Sequence, residues 1–259
     1  MAGSVCINGF IPVRSEASET AQMVTQILFG ETYQIIQEDE KWAHIKLDFD
    51  GYEGWIDAKL VVHIPELELE SWKHKDAWIV PVPQVKIVSD PDQSSQILTG
   101  GSAIVFNGSN LNSFSINNLD YYLTGNVTPA KKNPNIQEIA MNYINTPYLW
   151  GGRTFFGIDC SGLVQIVYKI AGIQLPRDAS QQIEMGTTVN FVEETHTGDI
   201  AFFDDADGKI IHVGICIGKG DIIHASGEVR IDKLDHQGIF NQKLKKYTHK
   251  LRVIKRVIE

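Results

Sequence analysis

Cysteine, basic charge and long hydrophobic runs are all scarce in this 259-residue sequence. Its three cysteines, Cys6, Cys160 and Cys216, form no C-x-x-C pair, which argues against structural zinc, and their odd number argues against a disulfide framework. The net charge of -9 argues against the basic face that a nucleic-acid binder needs. No run approaches the roughly 18 apolar residues of a membrane span. We therefore expect neither a nucleic-acid partner nor a membrane span.

Signals for export and for cofactors are missing as well. The first residues have neither the basic region nor the apolar core of a secretory signal. We expect a cytoplasmic protein, or a periplasmic or extracellular one if a signal was removed from this sequence. No phosphate-binding loop and no cluster of metal ligands is visible, so the sequence predicts no cofactor and no metal.

The distribution of turns and β-like runs predicts several domains. Residues 1–62 contain short runs typical of strands in a small barrel. Residues 63–75 have the composition of a polar linker, and residues 76–128 carry further strand-like runs that indicate a second, degenerate barrel. From residue 133 to residue 259, apolar residues at helical spacing precede a run of strands, which favours an α+β domain.

Cys160 is the first candidate for chemistry. It follows a glycine-rich approach and precedes an apolar segment that predicts a helix to about residue 171, with Asp159 as its cap. The N–H groups and dipole at a helix start lower the pKa of a thiol, whereas the carboxylate of Asp159 opposes this. A nearby imidazolium would be needed for the thiolate to dominate. The alternative interpretation is a buried, inert cysteine.

Two histidines are candidates for the partners of this thiol. His212 lies in a β-like run and shares its predicted face with the small residues Gly214 and Cys216, which leaves room for another element. His224 lies in the next run and could orient the ring of His212, as the third member of a triad does. The alternatives are a half-exposed strand histidine for His212 and a satisfied core histidine for His224.

Six motifs taken together resemble the NlpC/p60 family of cysteine peptidases over roughly residues 134–257. They are residues 150–152 (WGG), 159–162 (DCSG), 176–180 (PRDAS), 198–200 (GDI), 212–214 (HVG) and 224–225 (HA). The resemblance implies a papain-like core in which Cys160 is the nucleophile, His212 the base and His224 the third polar residue.

The first segment resembles a bacterial SH3-like domain, on residues 12–14, 28–31 and 51–56. Together the two resemblances point to γ-D-glutamyl-L-diamino acid endopeptidases of the dipeptidyl-peptidase VI type. They imply that the barrel closes one end of the substrate groove, where Tyr52 and Glu31 hold a free α-amine. Within the catalytic domain they imply these substrate-lining residues: Trp150, Asp159, Ser161 and Ser180.

The expected function is hydrolysis of murein peptides that carry a free N-terminal L-Ala. The bond cut lies between γ-D-glutamate and a diamino acid, and the product is L-Ala-γ-D-Glu, as in cell-wall peptide recycling. Two alternatives remain open from the sequence. One is a peptidoglycan-binding adaptor whose catalytic domain is incidental, and the other is a thiol acyltransferase built on the same core.

Overall fold

The computed structural model describes residues 3–73, 77–81, 84–90, 92–106, 110–125, 127–129 and 135–258. The chain divides into two compact units, Met1–Lys131 and Lys132–Glu259. Residue 133, where the sequence predicts the start of the last domain, lies outside the described residues. Across the described ranges, no helix has the length and apolar character needed to cross a membrane.

The first unit opens with an antiparallel sheet of seven strands. These are β1 (Gly3–Val5), β2 (Phe10–Arg14), β3 (Met23–Leu28), β4 (Thr32–Glu38), β5 (Trp42–Leu47), β6 (Glu53–Asp57) and β7 (His63–Ile64). Their order is β3-β2-β6-β5-β4-β1-β7. Alternation along the strands directs one side inward, as in β5, where Ala43, Ile45 and Leu47 are buried. The interior of this barrel is apolar.

The segment predicted as a polar linker contains a helix, α1 (Glu66–Lys73). Leu69 and Trp72 lie three residues apart and are buried on one face of this helix, while acidic residues occupy its first turn. The alternating Glu and Leu residues that suggest a linker therefore belong to an amphipathic helix. Residues 74 and 75 of the predicted linker lie outside the described residues.

Seven further strands follow in the first unit. They are β8 (Trp78–Ile79), β9 (Gln84–Asp90), β10 (Ser95–Thr99), β11 (Ala103–Ile104), β12 (Ser113–Ile116), β13 (Leu119–Leu123) and β14 (Thr128–Pro129). They form sheets of order β10-β9-β13-β12 and β11-β8-β14. Phe29 of the first segment contacts Trp72, Phe114 and Tyr121 edge-on, so both strand sets and α1 share one core. The predicted barrel over 76–128 includes residues 76, 82–83, 91, 107–109 and 126, which lie outside the described part.

The second unit begins with helices and continues with strands, which confirms the α+β expectation. Its elements are α2 (Ile136–Met141), β15 (Arg153–Thr154), β16 (Gly157–Ile158), α3 (Cys160–Ile170), α4 (Ala179–Gln182), β17 (Thr187–Val189), β18 (Ile200–Asp204), β19 (Ile210–Gly218), β20 (Asp221–Ser226), β21 (Glu228–Asp235), β22 (Gly238–Asn241) and β23 (Lys246–Arg256). The sheet order is β17-β23-β18-β19-β20-β21-β22, and pairing of β22 with β23 closes six strands into a barrel. Helix α3 packs on β19 and β20.

Candidate active site

Cys160 is the first residue of α3, and its side chain is half-buried. Asp159 caps the helix as the sequence predicts, because its Oδ1 accepts the Gly162 N–H at 2.7 Å. The backbone N–H groups of Val213 and Ser161 both donate to the Cys160 sulfur. Since Val213 directly follows His212, the start of α3 and the middle of β19 meet at the thiol.

The capping carboxylate lies in a buried network that the sequence does not reveal. Arg177 donates from Nη1 to Asp159 Oδ1 at 3.0 Å and from Nη2 to Oδ2 at 2.5 Å. It also donates to the Ser161 hydroxyl at 2.8 Å, and the Gly151 N–H donates to Asp159 Oδ2 at 2.8 Å. A bidentate Arg–carboxylate pair fixes both partners in geometry. Arg177 therefore positions Asp159 and Ser161 around the helix start.

His212 and His224 come together on the inner face of the barrel. Nε2 of His212 lies 2.8 Å from Nδ1 of His224, and both side chains are buried. The strand register explains the contact, because Gly214 pairs directly with His224. A Cβ on Gly214 would lie 2.9 Å from the Cβ of His224. A glycine at this position is therefore what lets the second histidine reach the first.

Asp232 extends this pair, although sequence reasoning did not select it. Its Oδ2 lies 3.2 Å from Nε2 of His224, and its Oδ1 accepts from Nη2 of Arg230 at 3.1 Å. Arg230 is paired with His224 across the strands, which places Asp232 at the diagonal position. The sequence signal that could have identified Asp232 is the spacing of two opposite charges, Arg230 and Asp232, at alternate positions of a strand-like run.

A third ring, that of His249 on β23, stacks on His212. The ring centroids are 4.1 Å apart and the planes are inclined by 23°. Phe203 contacts both rings at 5.7 and 6.0 Å. His212, the base candidate, therefore contacts the bonded ring of His224, the stacked ring of His249 and the tilted ring of Phe203, which restrict its rotamers.

The sequence leaves the pKa of the Cys160 thiol open between the helix dipole and the opposing charge of Asp159, and in the structure the raising effects are larger. Burial raises the pKa of Cys160 to about 12, and the charge of Asp159 adds to this effect. The N–H groups of Val213 and Ser161 and the charge of Arg177 oppose it but do not outweigh it. The dipole at the start of α3 is thus insufficient, and the resting group is a neutral thiol.

The shift at His212 on the neighbouring strand also favours a neutral group. Burial lowers the pKa of His212 well below its ordinary value, and the nearby His249 and His224 lower it further. The neutral form of His212 is therefore favoured at neutral pH.

The structure places the remaining predicted residues in different surroundings. Trp150 and Ser180 are exposed in the second unit, whereas Ser161 is buried in the network described above. Tyr52 and Glu31 belong to the first unit. Tyr52 packs against the apolar interior of its barrel, and buried Glu31 accepts the Leu28 N–H at 2.8 Å.

Metal chemistry has no visible ligand set in the described ranges. Among these residues, no group of three or more His, Cys, Asp or Glu side chains is arranged to hold a metal ion.

Comparison with known families matches two parts of the chain. The NlpC/P60 family model matches residues 145–249, which contain Cys160, His212 and His224. The model of the bacterial dipeptidyl-peptidase SH3 domain matches residues 13–59 of the first barrel.

Curated relatives extend over most of the chain. A γ-D-glutamyl-L-lysine dipeptidyl-peptidase of Bacillus cereus is 25% identical over 79% of this chain and 67% of its own length. Dipeptidyl-peptidase 6 of Lysinibacillus sphaericus is 28% identical over 84% of this chain and 86% of its own.

Solved structures agree on the fold. An NlpC/P60 family protein from Bacillus cereus superposes with a TM-score of 0.84 at 17% identity, covering 99% of this chain and 100% of its own. An NlpC/P60 endopeptidase from Photobacterium damselae gives a TM-score of 0.67 at 18% identity, over 97% of this chain and 70% of its own. The chain therefore carries an NlpC/P60 domain over residues 145–249, and a bacterial dipeptidyl-peptidase SH3 domain over residues 13–59 precedes it.

Proposed function

We propose that this chain is a cysteine peptidase that hydrolyses the γ-D-glutamyl–diamino acid bond of murein peptides. The observation that carries the proposal is the Cys160 thiol at the start of α3, beside a β19 strand whose His212 is bonded to His224 at 2.8 Å. Relatives named as γ-D-glutamyl-L-lysine dipeptidyl-peptidases support the choice of bond.

The neutral resting pair defines the order of proton movements. His212 accepts the proton of Cys160 while the sulfur attacks the γ-glutamyl carbonyl carbon, which gives a tetrahedral oxyanion. Backbone N–H groups at the start of α3 stabilise this oxyanion. The intermediate collapses to a thioester and the C–N bond breaks, as His212 returns the proton to the leaving amine of the diamino acid.

Hydrolysis of the thioester repeats the sequence with water. His212 takes a proton from the water while its oxygen attacks the thioester carbonyl carbon. The C–S bond then breaks, the proton on His212 returns to the sulfur of Cys160, and the product leaves as a carboxylic acid that releases its proton to solvent. No external oxidant, reductant or metal is consumed in either half of the reaction.

Substrate recognition belongs to the same proposal. The released product is L-Ala-γ-D-Glu, and the substrate carries a free α-amine on L-Ala. We assign the amine to Tyr52 and Glu31 with Asp159, and further substrate contacts to Trp150, Ser161 and Ser180. Asp159 already accepts from Arg177, Gly151 and Gly162. Any contact of the amine with Asp159 must therefore use its remaining lone pairs.

The deciding experiment is hydrolysis of L-Ala-γ-D-Glu-meso-diaminopimelate and of its L-Lys analogue, followed by mass spectrometry. Each peptide is tested beside its N-acetylated form, and a Cys160→Ala variant is the control. We expect cleavage of the free-amine peptides and its loss in the variant. Equal cleavage of acetylated peptides would overturn the amine assignment but keep the peptidase.

A complete absence of cleavage by folded, reduced protein would overturn the peptidase proposal. Two further readouts then identify the replacement function. Retention on insoluble cell-wall sacculi would indicate an adaptor, and capture of the acyl group by an added amine or alcohol would indicate an acyltransferase.

The compartment is a further part of the proposal. A peptide-recycling role places the enzyme in the cytoplasm, together with peptides that already carry a free amine. Cell fractionation followed by immunodetection tests this placement, and recovery in an extracellular or periplasmic fraction would overturn it.

A further inference from the structure

We propose that Asp232 is a positioning residue that sets the tautomers of both catalytic-site histidines, so that the free nitrogen of His212 is the one available to the Cys160 thiol. The inference deepens the proposed peptidase and rests on it for its catalytic consequence. The tautomers themselves are a property of the free protein and can be tested without any substrate.

The argument starts at the carboxylate of Asp232. Burial alone would raise the pKa of Asp232, but the hydrogen bonds from His224 and Arg230 and the charge of Arg230 lower it overall. Asp232 is therefore ionised at neutral pH, and an ionised carboxylate only accepts hydrogen bonds. Nε2 of His224, at 3.2 Å from Oδ2, must then carry a proton and donate it.

The position of this proton on His224 determines the direction of the hydrogen bond between His224 and His212. A neutral imidazole with a proton on Nε2 has a lone pair on Nδ1. Nδ1 of His224 lies 2.8 Å from Nε2 of His212, so with the neutral form of His224 it is His212 that donates, from Nε2. The lone pair of neutral His212 is consequently on Nδ1, and this nitrogen accepts the proton of Cys160. One carboxylate thus fixes the proton positions on two rings.

The charged and titratable groups around the relay agree with this assignment. His212 comes from β19, His224 from β20 and Asp232 with Arg230 from β21. His249 from β23 stacks on His212, and burial with the charge of His224 lowers the pKa of His249 to about 4, despite the opposing charge of Asp232. His249 is therefore neutral at pH 7, and it adds no positive charge that would reverse the two bonds.

The opposite tautomer would disable the base. If Asp232 offered a donor instead of an acceptor, His224 would accept on Nε2 and donate from Nδ1. His212 would then accept on Nε2 and carry its proton on Nδ1, where it could not take another from Cys160 while neutral. Replacement of Asp232 by asparagine introduces such a donor, although the amide oxygen still allows the original arrangement in one orientation.

The test is histidine-side-chain NMR of the free protein labelled with 15N on histidine, at neutral pH. Spectra of His212→Gln and His224→Gln assign the two rings. The expected result for the unmodified protein is a proton on Nε2 of both rings. A proton on Nδ1 of His212 in that spectrum would overturn the inference. This result can be observed in the unmodified protein, without any variant of Asp232.

Kinetics of Asp232→Asn supply the second readout. We expect kcat to fall on the order of 10²-fold with KM little changed, together with a population of His212 protonated on Nδ1. Asp235→Asn is the matched control, since it makes the same change on β21 at a carboxylate that bonds Tyr247 instead of a histidine. Unchanged tautomers and unchanged kcat in both Asp232→Asn and Asp232→Leu, which has no acceptor atom, would overturn the inference.

The two proposals fail in different ways. If the unmodified protein shows Nε2 protons on both rings but hydrolyses no murein peptide, the tautomer inference stands and the peptidase proposal falls. If it hydrolyses the peptides with His212 protonated on Nδ1, the peptidase stands and the role of Asp232 falls.

Discussion

The barrel formed by strands β1 to β7 and the barrel formed by strands β18 to β23 have interiors that differ in kind. The first barrel is filled by apolar side chains such as Ile11, Ile27 and Ile45. The second has an apolar cluster that includes Phe203 and Ile222, but the same inner face carries His212, His224 and Asp232. The first interior contributes to stability by burying apolar side chains. The second gives up part of its apolar filling to hold titratable groups out of water, which is where their pKa values shift.

The polar groups in the second barrel are tolerated because they are paired. His212 bonds His224, His224 bonds Asp232, and Asp232 forms an ion pair with Arg230. A buried charge without a partner would cost several kcal/mol. The relay therefore satisfies the stability requirement of burial and the chemical requirement of a fixed base at the same time.

The largest expected effect on stability lies in the first barrel. Ile45→Ala should lower the free energy of unfolding by about 2–5 kcal/mol, because it leaves a cavity in a fully apolar interior. Denaturant unfolding read by hydrogen exchange should locate the loss in peptides of β2 to β6. Ile36→Ala, at an exposed position on β4, is the control and should be nearly neutral. Comparable losses in both variants would contradict the assignment of the core.

A smaller loss of stability, accompanied by a loss of activity, is expected for a substitution in the barrel formed by β18 to β23. Gly214→Ala should destabilise by about 1–3 kcal/mol, since the new methyl group meets the backbone-proximal Cβ of His224. Displacement of that ring should also lower kcat by on the order of 10-fold or more. The comparison variant is Ile215→Val on the opposite face of β19, which should cost about 1 kcal/mol without affecting kcat. Full activity of Gly214→Ala would show that His224 need not pair at this register.

The buried histidines should make stability depend on pH. The folded-state pKa of His249 is about 4, below its ordinary value of 6.5, because of burial and the charge of His224. Between these pH values the unfolded chain binds a proton that the folded chain does not, so stability falls as pH falls through this window. Urea unfolding at several pH values should show a shallower fall in His249→Gln. His236→Gln, at an exposed position, should keep the original slope, and equal slopes in all three proteins would contradict the shift.

The smallest effect is expected in the intrinsic reactivity of the thiol. Since burial and Asp159 raise the pKa of Cys160 to about 12, its alkylation by iodoacetamide should rise steadily from about pH 6 to pH 9 without a plateau. Peptide mapping should place the label on Cys160, because Cys6 and Cys216 are buried. A plateau below neutral pH would instead reveal a resting thiolate–imidazolium pair.

The local elements of the site could be predicted from the sequence because short-range patterns encode them. The helix at Cys160, its Asp159 cap and the strand that carries His212 follow from apolar periodicity and capping chemistry. The sequence analysis missed helix α1, because eight residues rich in Glu and Leu have only a weak helical periodicity. The helix is stabilised by the burial of Trp72 in the core. Its burial depends on Phe29 and Phe114, which are distant in sequence.

The sequence by itself determined the reactive residue types, their order and the elements that carry them, since these depend on neighbours a few positions apart. The tertiary structure decided the pKa values of those residues and their hydrogen-bond partners. Closure of the barrel places Asp232 next to His224 and His249 next to His212. Arg177, which follows α3 in the chain, forms an ion pair with Asp159 at the start of that helix. The balance at the Cys160 thiol, which the sequence leaves open, becomes a raised pKa because burial depends on packing that no local pattern records.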